Sequence, residues 1–422
     1  MLLGKNSVSG NRRYAVSALI FIGIVTGIVC LSACATGAAT GAASKETAGN
    51  ARLQHTLAKL RRGETVSVVA LGGSITTGYQ AQPPASAGWA GQLNRWWQEK
   101  AKVSGGAAEF HNSGASGTDS AFAAVRVKDH ALAYEPDLVI VEFAINDQWL
   151  NARVRQRSFE GVLRQLLAGS ARSVMVIALN EKADSNKSTF REQERIGKHY
   201  GIPVLAWADW VKFSEWDRWF TGSEAIHPNN DGHANIAEGI IRYLDAVWDS
   251  LPPDDALPPV NTALPAPLVS AEFQQVALIG GQDAGAMLNF DTSRWQAAPA
   301  ILPDEWPGRG GRPLTGWTTD NPQADLSVRV RGKSVGLLFA ESDQFTNGLA
   351  WIEDGKETFP KVIIRNYVNY RRGYYGYAYA EIADNLDPER EYVLRLAVNP
   401  GGRQGSVHIA GVVCTLSGGK TP

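Results

Sequence analysis

The chain has 422 residues, 44% of them hydrophobic and 20% charged. That is too long for one ordinary domain, and it excludes a wholly disordered or collagen-like polymer. The 41 basic and 42 acidic residues leave a net charge of −1, which gives no field to attract a nucleic acid, and three cysteines are too few for a disulfide scaffold or a Cys-rich metal site.

Lys5, Arg12 and Arg13 precede an apolar run from Tyr14 to Leu31. This is the layout of an export signal. The run ends in Leu31-Ser32-Ala33-Cys34, which resembles a bacterial lipobox. The resemblance implies cleavage before Cys34 and lipidation of its sulfur, so 1–33 would be signal peptide and the membrane a partner through that anchor. The run is also nearly long enough to remain as a transmembrane helix. Either route places the folded part in the cell envelope, on the periplasmic or cell-surface face. With Cys30 removed and Cys34 lipidated, Cys414 would have no partner for a disulfide. Residues 34–50, mostly Ala, Gly, Thr and Ser, read as a flexible tether.

Strands and helices alternate from Thr65 onward. Apolar, β-branched runs predict strands at 65–72, 137–144, 173–179 and 202–207, and 109–112 reads as a further short strand. Helical spacing predicts helices at 89–101, 121–133, 159–168, 189–200 and 231–248. Five β-α units in a row predict an α/β fold, a three-layer α/β/α sandwich on a parallel five-stranded sheet. The active edge of such a sheet is at the carboxyl ends of its strands.

Residues 250–268 are Pro-rich and unperiodic, the character of a linker. Beyond them Ala324–Arg331 alternates strictly, as a half-buried strand does. Further strands are expected at 334–340, 350–352, 361–365, 392–398 and 406–413. Residues 269–422 therefore read as a small all-β sandwich or jelly roll.

Four short segments fall at the expected active edge. Gly72-Gly73-Ser74 follows the first strand and can present a hydroxyl, together with a backbone N–H at a helix start. Asn112 through Gly117 follows the second strand, and Gly117 can offer its N–H without a side chain in the way. Asn146, after the third strand, offers a side-chain amide. Glu224-Ala225-Ile226-His227 precedes the last helix, and a carboxylate three residues before a His can orient the imidazole. Each segment also has a plainer reading: a helix cap for Ser74, a tight turn for Gly117, an Asx turn for Asn146 and a structural role for His227.

Taken as a set, Gly73-Ser74-Ile75, Asn112 to Gly117, Ala144-Ile145-Asn146-Asp147 and Glu224 to His227 resemble the blocks of the SGNH (GDSL-like) hydrolase superfamily. The resemblance covers about residues 64–249, within an SGNH domain expected at 51–249, and implies a flavodoxin-like fold. It implies Ser74 as nucleophile, His227 as base and Glu224 as the orienting acid. Ser74, Gly117 and Asn146 would form the oxyanion hole. Gly73 stands where the family has Asp, a variation expected to leave the chemistry alone. Ala144 stands for a Gly. Glu224 replaces Asp and must fold back to reach the ring; Asp217, Asp231 or a backbone carbonyl are the substitutes. No metal and no cofactor are expected, because His227 and His233 lack a third ligand nearby.

The reaction expected is hydrolysis of an ester, with acetylated carbohydrate as the substrate partner. Two features lean that way. Tyr79, Trp89, Trp149, Trp210, Trp216 and Trp219 lie on loops near the site, where they would stack sugars or pack the core. The β-domain resembles the jelly-roll modules beside SGNH carbohydrate esterases, and its Tyr367–Tyr379 stretch would either bind sugar or pack on the first domain. The alternatives are a lipase, lysophospholipase or thioesterase, a sugar O-acetyltransferase, and a glycan-binding lipoprotein without activity.

Overall fold

The computed structural model describes residues 51–182, 187–211, 213–223, 225–280, 294–299, 315–353, 361–367, 375–399, 401 and 403–416. The export signal, Cys34 and the tether lie outside them. So do Glu224 and the middle of the Tyr367–Tyr379 stretch, residues 368–374.

The described chain begins with a helix that the sequence reading missed, α1 (51–61). Its Leu53, Leu57 and Leu60, spaced i, i+4, i+7, are fully buried. The α/β elements follow as β1 (Thr65–Gly72), α2 (Ser74–Thr77), α3 (Pro84–Ala87), α4 (Trp89–Ser104), β2 (Ala107–Gly114), α5 (Ser120–His130), β3 (Leu138–Glu142), α6 (Ala152–Leu167), β4 (Ser173–Ala178), α7 (Lys187–His199), β5 (Val204–Ala206), α8 (Trp216–Trp219) and α9 (Asn230–Asp249). The five strands lie in the order β2-β1-β3-β4-β5, and every pairing is parallel.

Alternate residues of β1 feed opposite faces. Val66, Val68 and Ala70 pack with Leu93 of α4 and Ile240 of α9, while Val69 and Leu71 pack with Phe122 of α5 and Phe159 of α6. Both faces are therefore covered, which is why these strands read as continuous apolar runs.

Helix α6 starts seven residues before its expected start at Phe159. Its first half is polar, yet Arg157, Ser158 and Glu160 are buried. Arg157 is paired with Glu272 and Glu381. Glu160 accepts the N–H groups of Leu268, Val269 and Ser270 at 2.5, 2.7 and 2.7 Å. At Gly161 the helix meets Phe273 so closely that a Cβ would lie 2.2 Å from it.

The Pro-rich stretch runs along the α/β surface. Its carbonyls accept from side chains of that surface: Pro252 from Arg61, Pro258 from His55, Asn261 from Arg52 and Pro265 from Arg164.

Beyond it lie β6 (Val276–Ile279), β7 (Gln296–Pro299), β8 (Thr315–Thr319), β9 (Asp325–Val330), β10 (Ser334–Ser342), β11 (Gly348–Glu353), β12 (Val362–Ile364), β13 (Tyr375–Ala383), β14 (Tyr392–Val398) and β15 (Val407–Thr415). They form two antiparallel sheets. One runs β13-β10-β15-β8-β7 with β6 also on β15, the other β12-β11-β14-β9. Leu326, Val328 and Val330 of β9 point inward, as their alternation requires. Strands β6, β7, β8 and β13 were not expected from sequence. In β13, Tyr377 and Tyr379 are buried; Tyr377 lies 5.9 Å from the Phe122 ring and Tyr379 meets Phe273 edge-on at 6.1 Å. These two tyrosines pack on the α/β part rather than face solvent. Cys414 is a free, buried thiol.

Among the described residues no helix is long and apolar enough to cross a membrane, and no group of three or more His, Cys, Asp or Glu is placed to hold a metal.

Candidate active site

Strands β1 and β3 end side by side, with Gly72 paired to Glu142. The turn after β1 is tight. The N-cap of α2 is Gly73, with no side-chain cap, so the Ser74 hydroxyl is not used to start the helix. That removes the capping explanation for Ser74. Its Oγ instead lies 2.9 Å from Nε2 of His227. The Ser74 N–H is the first donor of α2, a position with no intrahelical acceptor.

Side chains from three elements hold this turn. Arg126 of α5 donates to Gly72 O at 2.9 Å and to Ser113 O at 2.7 Å, tying the ends of β1 and β2. Asn112 donates to Thr76 O at 2.8 Å and accepts from the Gly114 N–H at 2.9 Å. Thr76 Oγ1 donates to Glu142 at 2.9 Å, and the Gly73 N–H also points to that carboxylate. Thr77 Oγ1 donates to Ser74 O at 2.7 Å. Sequence reasoning missed Arg126, an isolated basic residue on a helix, and treated Glu142 only as scaffold near the strand ends.

The second and third blocks converge on Gly73. A Cβ there would come within 2.5 Å of Asn146 Oδ1 and 3.5 Å of Thr118 O. Asn146 opens a 3-10 turn, Asn146–Trp149, without acting as its cap. Gly117 is exposed and has φ +73°, the left-handed region that glycine adopts without strain. The missing side chain of Gly73 leaves room for Asn146 beside the turn after β1.

The floor beneath is a set of buried ionisable groups. Burial pushes Glu142 up to about 7, against the pull of Thr76 and the Gly73 N–H. Burial likewise raises Asp119, the N-cap of α5, to about 6, and Asp147 well above the usual carboxylate range. Asp147 accepts from the Ser120 N–H and from Gln193, both at 2.8 Å. Arg126 is lowered by burial to about 9. These groups brace the loops.

The His227 ring stands edge-on to Tyr79, centroids 4.6 Å apart. Tyr79 is in turn fixed by His233 of α9. His233 Nδ1 takes the Trp89 N–H at 3.2 Å, which fixes the proton on Nε2, 3.1 Å from Tyr79 O. Helix α4 has no side-chain cap of its own, so His233 supplies one from another helix. Burial holds His233 at about 4, neutral near pH 7. It is a brace, a role that its position six residues after His227 does not reveal.

Of the possible acids, Glu224 lies outside the described residues. Asp217 is 88% exposed and bound by Lys182 Nζ at 2.6 Å, and Asp231 is an exposed residue in the first turn of α9. Of the aromatic residues near the site, Trp89, Trp216 and Trp219 are buried in the core, and Trp210 is half-buried with its Nε1 donating to Asn235 O. Trp149 is 75% exposed.

This geometry suits attack by a hydroxyl on a carbonyl carbon, with a base in reach and N–H donors gathered at the same strand ends. Residues 70–234 match the model of the GDSL-like Lipase/Acylhydrolase family. No curated protein matches the chain. Among solved structures, a two-domain esterase (CEX) active on acetylated mannans superposes with TM-score 0.71 at 18% identity, over 87% of this chain and 96% of that one. Its co-crystal with mannopentaose gives TM-score 0.70 at 19% identity, over 88% and 96%. That likeness extends through both the α/β and the all-β parts. The match to the GDSL-like Lipase/Acylhydrolase family model thus spans every site position from Gly73 to His227.

Proposed function

We propose that this chain is a serine esterase that removes O-acetyl groups from carbohydrate. The observation that carries the reading is the Ser74 Oγ to His227 Nε2 distance of 2.9 Å at the carboxyl edge of the sheet. Ser74 Oγ attacks the acetyl carbon while His227 Nε2 takes its proton. The oxyanion forms against the N–H groups of Ser74 and Gly117 and the Asn146 amide. As the intermediate collapses and the bond from the acetyl carbon to the sugar oxygen breaks, His227 protonates that oxygen and the free sugar hydroxyl departs. Water, deprotonated by the same imidazole, attacks the acetyl-serine, and acetate leaves as Ser74 regains its proton. Glu224 is the acid assigned to orient His227.

Two considerations support a sugar as the alcohol. The superposed esterase of the same two-part fold acts on acetylated mannans. The exposed Trp149 begins where Asn146 ends: side chains at i and i+3 of a 3-10 turn eclipse each other, so the two share a face. An indole there offers a flat apolar platform beside the acyl site. The export signal and Cys34 anchor complete the reading as an envelope lipoprotein.

The test is acetate release from acetylated mannan and acetylated xylan by the full-length protein in detergent, with Ser74→Ala as control. Release that vanishes in the variant supports the proposal. Turnover of p-nitrophenyl butyrate and longer esters in preference to acetate, without release from either polymer, would replace it with a lipase or thioesterase.

A further inference from the structure

The peptide unit joining Gly72 to Gly73 lies one peptide before Ser74, and both of its flanking glycines are crowded where a Cβ would stand. A Cβ at Gly72 would lie 2.1 Å from Thr76 Oγ1, and one at Gly73 would lie 2.5 Å from Asn146 Oδ1. Two glycines in succession leave the intervening peptide plane free to swivel, because no Cβ restrains ψ of the first or φ of the second. The plane nevertheless fixes where the chain leaves β1 and so helps to place the Gly73–Ser74 peptide that carries Ser74.

It is held from both ends. The Gly72 carbonyl accepts from Arg126 Nη2 at 2.9 Å and from the Ala115 N–H at 2.9 Å. The Gly73 N–H points at the Glu142 carboxylate, which also takes the Thr76 hydroxyl at 2.9 Å. Arg126 is 4% exposed and Glu142 is 1% exposed. A buried guanidinium therefore sits at the carbonyl end of one peptide dipole and a buried carboxyl group at its N–H end. Burying either charge is costly, and a core needing only packing would use apolar residues in both places.

We propose that Arg126 and Glu142 are positioning residues acting as one clamp on the Gly72–Gly73 peptide, which aims Ser74 Oγ at His227. The inference rests on the esterase reading, since it assigns how that nucleophile is held. Arg126 reaches the plane from α5, the helix that follows the Gly117 loop. Glu142 reaches it from β3, the strand that leads to Asn146. The clamp thereby ties the direction of the nucleophile to both loops of the oxyanion hole.

The experiment uses Glu142→Gln, Arg126→Lys, the double variant and Thr76→Val in the full-length protein in detergent. It reads kcat and KM on p-nitrophenyl acetate, the rate of Ser74 labelling by a fluorophosphonate, and the thermal midpoint. Misaiming of a reacting atom by about 1 Å costs on the order of 10²-fold, so each charge variant is expected to lose about tenfold or more in kcat and in labelling rate. KM should move less than about twofold, and the double variant should lose little more than the worse single one, the signature of two groups acting on one element. Thr76→Val, which removes one hydroxyl and no charge, should lose a few-fold in the same parameters. Wild-type kcat in folded variants, a loss confined to KM, or losses that multiply would overturn the clamp. If the charge variants do not fold, an unchanged kcat in Thr76→Val overturns it. A wild-type protein that neither labels at Ser74 nor turns over an ester refutes the esterase reading instead; labelled wild type with equally reactive variants refutes only the clamp.

Discussion

Ser74 Oγ and His227 Nε2 are 2.9 Å apart although 153 residues separate them in the chain. One closes the first strand of the sheet and the other precedes its last helix. Tyr79 and His233 account for the fixed half of that distance. The first packs on the His227 ring, and the second holds Tyr79 from α9.

Ser74→Ala is expected to abolish ester turnover and fluorophosphonate labelling with no change in far-UV circular dichroism. Glu224→Ala should cost less than Ser74→Ala if a backbone carbonyl shares in orienting His227. Steady-state kinetics on p-nitrophenyl acetate decides both, and an active Ser74→Ala protein would end the nucleophile assignment.

Gly73→Ala should displace Asn146, the flexible partner in a 2.5 Å contact with the new Cβ. Complete removal of an oxyanion donor costs about 10²–10³-fold, so displacing one should lower kcat by about tenfold to a hundredfold. The cost in stability should be small, because the obstacle is a side chain and not backbone. An alanine variant with wild-type kcat would show that Asn146 takes no part.

Trp149→Ala should lower kcat/KM for an acetylated manno-oligosaccharide about tenfold more than kcat/KM for p-nitrophenyl acetate, whose alcohol is not a sugar. Trp149→Phe should restore part of the difference. If both substrates fall equally, the indole shapes the turn rather than meeting a sugar.

His233→Phe keeps a ring in place but leaves the buried Trp89 N–H without its acceptor. At pH 8 the loss should be about 2 kcal/mol, the scale of an unsatisfied buried donor. The difference from wild type should shrink on acidification. Burial lowers the folded-state value of His233 to about 4 from 6.5. The stability contributed by the neutral imidazole is thus complete above pH 6.5 and is lost as the pH falls toward 4. Phenylalanine has no proton to take up. Denaturant unfolding at pH 8 and at pH 4.5 measures the gap, and a gap that widens in acid contradicts the assignment.

The parallel sheet was legible because its inner strands β1, β3 and β4 are buried on both faces and carry almost nothing but apolar residues. The segments at its active edge were legible because Ser, Gly, Asn and His each recur at a strand or helix end. What escaped has definite causes. Helix α1 shows its Leu53, Leu57, Leu60 spacing plainly, but it lies next to the Ala- and Gly-rich tether. The first half of α6 looked like a solvated loop because Arg157 and Glu160 find their partners more than a hundred residues away, at Glu272, Glu381 and the 268–270 backbone. Arg126 gave no signal, since a single arginine on a helix is an ordinary surface residue until it is found bound to the Gly72 carbonyl. Strand β13 was hidden inside a Tyr- and Arg-rich segment whose buried tyrosines turn toward α5 and residue 273 rather than toward a ligand.

The grip of Glu160 on three successive N–H groups bears on how such a chain can be rearranged. A cassette that can be exchanged freely needs a neutral seam. Here the seam carries a buried carboxylate in one half whose hydrogen-bond donors are backbone groups just before the other, and a buried guanidinium shared with Glu272 and Glu381. A foreign β-module joined after Asp249 would strand both charges in an apolar face. Recombination at this point is therefore tolerated only where the 268–272 turn and the residue matching Glu381 travel with the module, so that the two halves are inherited as a pair.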